Sequence, residues 1–100
     1  MKEEVYFLQE LFYTIQKKSK SKEKKSYTKA LLKSGKNKVA QKVSEESSEL
    51  IIDYLNGSKK RTIEEASDLI YHLFGLLHSK KIKLEDIKKE LKSRHNVRRK

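Results

Sequence analysis

The chain contains no cysteine and no proline, and it has only three glycines among its 100 residues. Without cysteine there can be no disulfide, no thiolate metal site and no cysteine nucleophile. Proline and glycine are the residues that most strongly interrupt a helix. These absences therefore exclude thiol chemistry and favour long helices.

Long apolar runs are also missing, and none approaches the roughly 20 residues that a membrane-spanning helix needs. Residues 1–16 contain acidic side chains in an amphipathic pattern. A secretory signal would instead need a basic start and an unbroken apolar stretch. We therefore expect a cytoplasmic protein without a membrane partner.

Acidic residues are outnumbered, since 25 Lys and Arg face 14 Asp and Glu and the formal net charge is +11. Such an excess favours an anionic partner, which could be nucleic acid, a membrane surface or a phosphorylated small molecule. Seven of the acids nevertheless lie within residues 45–68. The remaining residues are therefore even more basic than the average.

Hydrophobic spacing predicts a single all-α domain over residues 1–100, a bundle of about four to five helices. The predicted helices span about 3–17, 26–35, 36–55, 58 or 62 to 79, and 84–94, with a basic linker at 17–25 and a flexible basic tail at 96–100. The predicted core positions include Leu8, Phe12, Ile15, Val39, Tyr54, Ile63, Ile70, Leu73 and Phe74. A domain this small buries only about two-thirds of its unfolded surface, so we expect dimerisation to complete it.

Two acidic pairs lie on neighbouring predicted helices: Glu46-x-x-Glu49 and, after fifteen intervening residues, Glu65-x-x-Asp68. Residues three or four apart share a helix face, so two antiparallel helices can aim all four carboxylates at one point. Uncompensated, the carboxylates would repel each other. Ligands that are all oxygen suit Mg²⁺ or Mn²⁺, and the pattern therefore predicts a hard metal site.

The same acids could instead have purely structural roles. They could form surface ion pairs with Lys or Arg at helical spacing, although only Lys42 and Arg61 are suitably placed. Thr62 and Glu65 also fit a capping box. Glu46 lies close to the apolar stripe of its helix, where an unpaired carboxylate is costly, so it should be protonated, ion-paired or metal-bound.

The residues around both pairs form longer motifs: Ser26-Tyr27-Thr28, Leu31-Leu32, Gly35, Val39-Ala40-Gln41-Lys42-Val43-Ser44-Glu45-Glu46, Glu49, and Glu64-Glu65-Ala66-Ser67-Asp68-Leu69-Ile70-Tyr71-His72-Leu73. In this combination, over about residues 26 to 95, the chain resembles phosphoribosyl-ATP pyrophosphatase. The acidic pairs alone would indicate only the broader MazG-type all-α nucleotide pyrophosphohydrolases. The chain departs from the family at Ser44, Ser47, Ser48 and Ser67, where Gly or small apolar residues are common, but every ligand position is kept.

The resemblance implies an all-helical homodimer that uses Mg²⁺ to hydrolyse phosphoribosyl-ATP to phosphoribosyl-AMP and pyrophosphate, the second step of histidine biosynthesis. It maps the metal ligands onto Glu46, Glu49, Glu65 and Asp68, with Glu45 and Glu64 in support. The following cyclohydrolase step would fall to a companion protein, because no second domain is present.

Cleavage of a phosphoanhydride requires an activated water and neutralised phosphates, and no Ser-His or Cys nucleophile arrangement is found. Metal-assisted hydrolysis is the remaining route. We expect Glu45 or Glu46 to accept the proton of the water. Lys42 is the first candidate for a phosphate contact, with Tyr27, Thr28 and His72 as further substrate contacts. Each of the four could also have a purely structural role. Lys42 could be a solvated surface lysine, Tyr27 and Thr28 could cap and pack their helix, and His72 could be a helix histidine whose hydrogen bonds are satisfied within the protein.

Two rival functions remain. A nucleic-acid-binding helical module would fit the charge, but the cations are mostly Lys and the aromatics mostly lie on predicted core stripes, which disfavours specific readout. A house-cleaning pyrophosphohydrolase acting on simple nucleoside triphosphates would share the metal site. Only its choice of substrate would differ.

Overall fold

The computed structural model describes residues 2–19 and 27–98, which form five helices and, within these ranges, no strand. The helices are α1 (Lys2–Ser19), α2 (Tyr27–Lys33), α3 (Lys36–Asn56), α4 (Lys59–Ser79) and α5 (Leu84–Arg98). The predicted all-α class is confirmed. Of the predicted linker, residues 17–19 end α1, and the rest lies outside the described residues.

The helices α3 and α4 form a hairpin whose turn depends on a glycine. The Gly57 N–H donates to the Asp53 carbonyl at 2.8 Å. A Cβ atom at position 57 would lie 2.9 Å from the same carbonyl oxygen. Because that is closer than real Cβ contacts, only glycine lets the chain fold back here, and α4 returns along α3.

Helix α4 begins at a serine cap and not at the alternative capping box of Thr62 and Glu65. The Ser58 hydroxyl accepts a hydrogen bond from the Arg61 N–H at 3.1 Å. Thr62 lies inside the helix, where its hydroxyl donates to the Ser58 carbonyl at 2.9 Å. The capping box of Thr62 and Glu65 is therefore wrong, because the serine that begins the helix lies one turn earlier.

The core joins α1 to α4. Phe12 and Ile15 are buried against Phe74, and the two phenylalanine rings meet edge to face with centroids 5.2 Å apart. Helix α2 adds the buried Leu31. Its side chain packs over Gly75 of α4, where an added Cβ atom would lie 3.8 Å from it. The short second helix therefore contributes to the interior.

Several predicted core residues are exposed instead. Tyr54 is 73% exposed and Ile63 is 57% exposed, and Leu8, Ile70 and Leu73 are exposed to a smaller extent. Within the described residues, α1 packs against α2 and α4, and α2 packs against both helices of the α3–α4 hairpin. The apolar stripes are therefore wider than the core of one chain.

The last helix is longer than predicted, since α5 continues to Arg98 and takes in residues 96–98 of the predicted tail. None of the described helices has the length and apolar character needed to cross a bilayer.

Candidate metal centre

Three of the four predicted ligands meet between α3 and α4. Carboxylate oxygens of Glu46, Glu49 and Glu65 lie within 4.8 Å of one another. Glu46 and Glu49 share one face of α3 because they are three residues apart, and Glu65 reaches them from α4. Glu65 is buried, Glu46 is half-buried and Glu49 is exposed. The cluster therefore opens to solvent on the Glu49 side.

Two buried oxygens of this cluster have no hydrogen-bond partner among the described residues: Glu46 Oε2 and Glu65 Oε2. A buried carboxylate oxygen without a partner is costly, and such orphans are rare in folded proteins. A cation between the helices would satisfy both oxygens at once. The donor set is all oxygen and thus fits a hard divalent ion.

The same crowding changes the acidity of Glu65. Its pKa rises from 4.5 to about 7, chiefly because the group is buried, and the neighbouring Glu49 carboxyl and the negative charge of Glu46 act in the same direction. The Arg61 guanidinium acts in the opposite direction. A proton on Glu65 thus reduces the repulsion among these carboxylates, as a bound metal ion would.

Arg61 lies at the edge of the cluster and contacts three acids. Its Nη2 atom is 3.0 Å from Glu65 Oε1 and 3.6 Å from Asp53 Oδ2, and its Nη1 atom is 3.5 Å from Glu64 Oε1. From the sequence, Arg61 was identified only as an ion-pair candidate. Its spacing of four residues from Glu65 was the signal that could have marked it as part of the site.

The fourth predicted ligand is placed differently. Asp68 is exposed, and within the described residues its carboxylate is not among the oxygens that meet. Its backbone carbonyl lies 2.8 Å from His72 Nδ1. His72 is buried and meets the Tyr71 ring edge to face at 5.5 Å. Asp68 and His72 thus lie next to each other on α4 but differ in exposure.

Glu45 is exposed and its contacts lie outside the cluster. Its carboxylate accepts a hydrogen bond from Gln41 Nε2 at 3.0 Å and pairs with Lys42 Nζ at 3.8 Å. The remaining candidates, Tyr27 and Thr28, belong to α2, but their side chains lie outside the described residues. Their predicted substrate contacts stay predictions, as do those of Lys42 and His72.

Comparison with known proteins places this site inside a matched family. Residues 8–95 match the family Phosphoribosyl-ATP pyrophosphohydrolase. The chain is 46% identical over 94 residues to the Histidine biosynthesis bifunctional protein HisIE of Bacteroides thetaiotaomicron. The aligned region covers 94% of this chain and 46% of that protein.

Two further relatives carry the same name. The protein of Staphylococcus aureus is 39% identical over 93 residues, which is 93% of this chain and 44% of that protein. The protein of Staphylococcus epidermidis is 38% identical over 91 residues, which is 91% of this chain and 43% of that protein. The chain therefore spans slightly less than half the length of these curated relatives.

Proposed function

This chain belongs to the phosphoribosyl-ATP pyrophosphohydrolase family, and we propose from that membership that it hydrolyses phosphoribosyl-ATP to phosphoribosyl-AMP and pyrophosphate in histidine biosynthesis. The observation that carries the proposal is the cluster of Glu46, Glu49 and Glu65, which lies within the matched residues. The resemblance noted in the sequence and the family match agree. The reaction is Mg²⁺-dependent in this proposal.

The residues present fit Mg²⁺, or Mn²⁺ in its place. Glu46, Glu49 and Glu65 would hold the ion, and the unpartnered oxygens of Glu46 and Glu65 support this assignment. We assign Asp68 as the fourth ligand because it lies three residues after Glu65 on α4. When bound, the ion neutralises phosphate oxygens and lowers the pKa of a water molecule.

Of the two candidate bases, Glu46 is better placed to accept a proton from the attacking water. Its Oε2 atom is buried in the cluster and has no partner among the described residues. The Glu45 carboxylate, by contrast, is already engaged by Gln41 and Lys42. We therefore assign the proton to the Glu46 carboxylate oxygen that the metal ion would leave free, and a supporting role to Glu45.

Binding of the anionic substrate falls to cations outside the cluster. Lys42 lies one turn before Glu46, and its pairing with Glu45 at 3.8 Å is half-exposed. An ion pair of this kind contributes at most about 1 kcal/mol, so a phosphate group can replace Glu45 as the partner of Lys42. We assign further substrate contacts to Tyr27, Thr28 and His72. The net charge of +11 draws the anion towards the protein.

We also propose that the protein works as a homodimer in the cytoplasm. Large apolar side chains are exposed near the turn of the α3–α4 hairpin: Ile51, Ile52, Tyr54, Leu55 and Ile63. Exposed large apolar side chains concentrated in one part of a surface are typical of a protein interface. A second copy would cover it and supply the packing that one chain lacks.

The test is pyrophosphate release by the purified protein from phosphoribosyl-ATP, ATP and dUTP, with Mg²⁺ and with EDTA. We expect release from phosphoribosyl-ATP alone, and only with Mg²⁺. Release from ATP or dUTP would instead indicate a house-cleaning enzyme. No release from any of them would contradict the proposed activity and leave nucleic-acid binding to be tested.

Substitution of a ligand tests the site itself. We expect Glu49→Gln to lower Mg²⁺-dependent turnover at least about 10- to 100-fold, since even the outer partners of metal ligands have effects of this size. Glu90→Gln is the matched control, because Glu90 is an exposed carboxylate of α5 paired with Arg94 at 3.0 Å. Equal loss in both variants, or in neither, would contradict the assignment.

A further inference from the structure

Arg61 connects the two helices that carry the cluster. From α4 it contacts Glu65, four residues further along the same helix, at 3.0 Å. It also contacts Asp53 of α3 at 3.6 Å. One guanidinium therefore ties a buried carboxylate on one helix to an acidic side chain on the other.

Arg61 contacts one of the two carboxylate oxygens of Glu65. Arg61 Nη2 donates to Oε1, whereas Oε2 is buried and has no partner among the described residues. The Glu65 side chain is only 7% exposed, so water cannot take the place of either contact freely. The carboxylate is thus held in one orientation with its second oxygen left available.

Asp53, the residue of α3 that Arg61 contacts, is held in place at the hairpin turn. The backbone carbonyl of Asp53 accepts hydrogen bonds from Gly57 N–H at 2.8 Å and from the Thr62 hydroxyl at 3.2 Å. The Asp53 side chain is 20% exposed. The position of Arg61 is therefore determined by both sides of the hairpin turn.

We propose that Arg61 is a positioning residue: it orients Glu65 against α3 so that the free carboxylate oxygen faces Glu46 and Glu49 and completes the divalent-cation site. The inference rests on the proposed metal site, and it adds a residue that neither binds the metal nor belongs to the acidic motifs. Partners that orient a metal ligand in this way strengthen metal binding.

The alternative is that Arg61 forms an ordinary helix-surface ion pair, and the chain contains such a pair for comparison. Arg94 Nε lies 3.0 Å from Glu90 Oε2 at the same spacing of four residues, with both side chains 62% exposed. Exposed pairs of this kind contribute little. Arg94→Gln is therefore the matched control for Arg61→Gln.

The test measures Mn²⁺ binding to the full chain by calorimetry, with electron paramagnetic resonance as a second method, in the absence of substrate. We expect Arg61→Gln to weaken Mn²⁺ binding about 10-fold or more and Arg94→Gln to leave it within about twofold. With substrate, the Mg²⁺ concentration for half-maximal activity should rise in Arg61→Gln, while kcat at saturating Mg²⁺ falls much less. A purely structural role would lower thermal stability in EDTA without this change in metal affinity.

Two further variants keep the test decisive if Arg61→Gln folds poorly. Arg61→Lys keeps the charge, but one ammonium group cannot contact Glu65 and Asp53 in the same forked way, so a smaller loss of Mn²⁺ affinity is expected. Asp53→Asn removes only the contact of Arg61 with α3. Combined with Arg61→Gln it should add almost nothing, because both substitutions break one connection.

Mn²⁺ affinity in Arg61→Gln that equals or exceeds that of the wild type would overturn the positioning role and leave the proposed function standing. A wild-type protein that binds no Mn²⁺ would overturn both together. A third result is that the wild type binds Mn²⁺, Arg61→Gln binds it more weakly, and neither hydrolyses phosphoribosyl-ATP. This result would support the positioning role of Arg61 and contradict only the proposed substrate.

Discussion

Glu65 carries a pH dependence that follows from its surroundings. Its pKa is about 7 in the folded chain, against an ordinary value of 4.5. Between these values the folded state holds the proton more tightly than the unfolded state does. The contribution to stability is therefore fully present below about pH 4.5 and is lost as the pH rises through about 7. We expect the metal-free protein to become less stable over this range.

Urea denaturation in EDTA at about pH 5 and about pH 8 measures this effect, because the free energy of unfolding is compared across the titration. Glu65→Gln is uncharged at both pH values and should lack this part of the decrease. The difference between the two proteins isolates Glu65 from all other acids. An identical decrease in both would show that Glu65 does not titrate in this window.

The residue types at the site could be predicted from the sequence, but their exact arrangement could not. Helix spacing was enough to predict that Glu46, Glu49 and Glu65 meet. It could not show that Asp68 is exposed or that Arg61 contacts Glu65 and Asp53 together. The contact with Asp53 depends on how α3 and α4 are rotated about their axes, which periodicity within one helix does not specify.

Among the elements, α4 depends on its serine cap. The Ser58 hydroxyl accepts from the Arg61 N–H at 3.1 Å, and removal of such a cap costs about 1 kcal/mol. We expect Ser58→Ala to lower the free energy of unfolding by about this amount, measured by urea denaturation. Ser58→Asp should restore it, because aspartate caps a helix equally well.

Ser67 provides the control within the same helix. Its hydroxyl donates to the Ile63 carbonyl at 2.8 Å in the middle of α4, where it caps nothing. Serine there competes with the helix, and alanine is the better helix former. Ser67→Ala should therefore be neutral or slightly stabilising. A loss equal to that in Ser58→Ala would mean that the cap is not the cause.

The helices themselves could be predicted more reliably than their ends. The absence of proline and the apolar periodicity predicted all five helices. The start of α4 was ambiguous in the sequence because serine and threonine are both common helix caps, and Ser58 and Thr62 lie one turn apart. The end of α5 was placed too early, since the basic residues after Arg94 contain no apolar pattern although the backbone stays helical to Arg98.

For the whole molecule, the exposed apolar surface is the feature that one chain does not explain. Periodicity predicted Tyr54, Ile63, Ile70 and Leu73 as core residues, and they are exposed in the single chain. A stripe that faces a second subunit has the same sequence pattern as one that faces the interior. Periodicity therefore cannot distinguish a helix face that packs inside one chain from a face that stays open to a partner.

The proposed homodimer makes this face testable through Leu55, which is 68% exposed near the hairpin turn. Leu55→Glu should leave the monomer folded, because exposed helix positions tolerate charge, and should dissociate the dimer by placing a carboxylate in an apolar interface. Light scattering should then report the 11.8 kDa of one chain instead of twice that mass. Leu91→Glu on α5, where Leu91 is 60% exposed, should leave the dimer intact. Dissociation by Leu91→Glu alone would place the interface along α5 instead, and a wild-type mass of one chain would contradict the dimer.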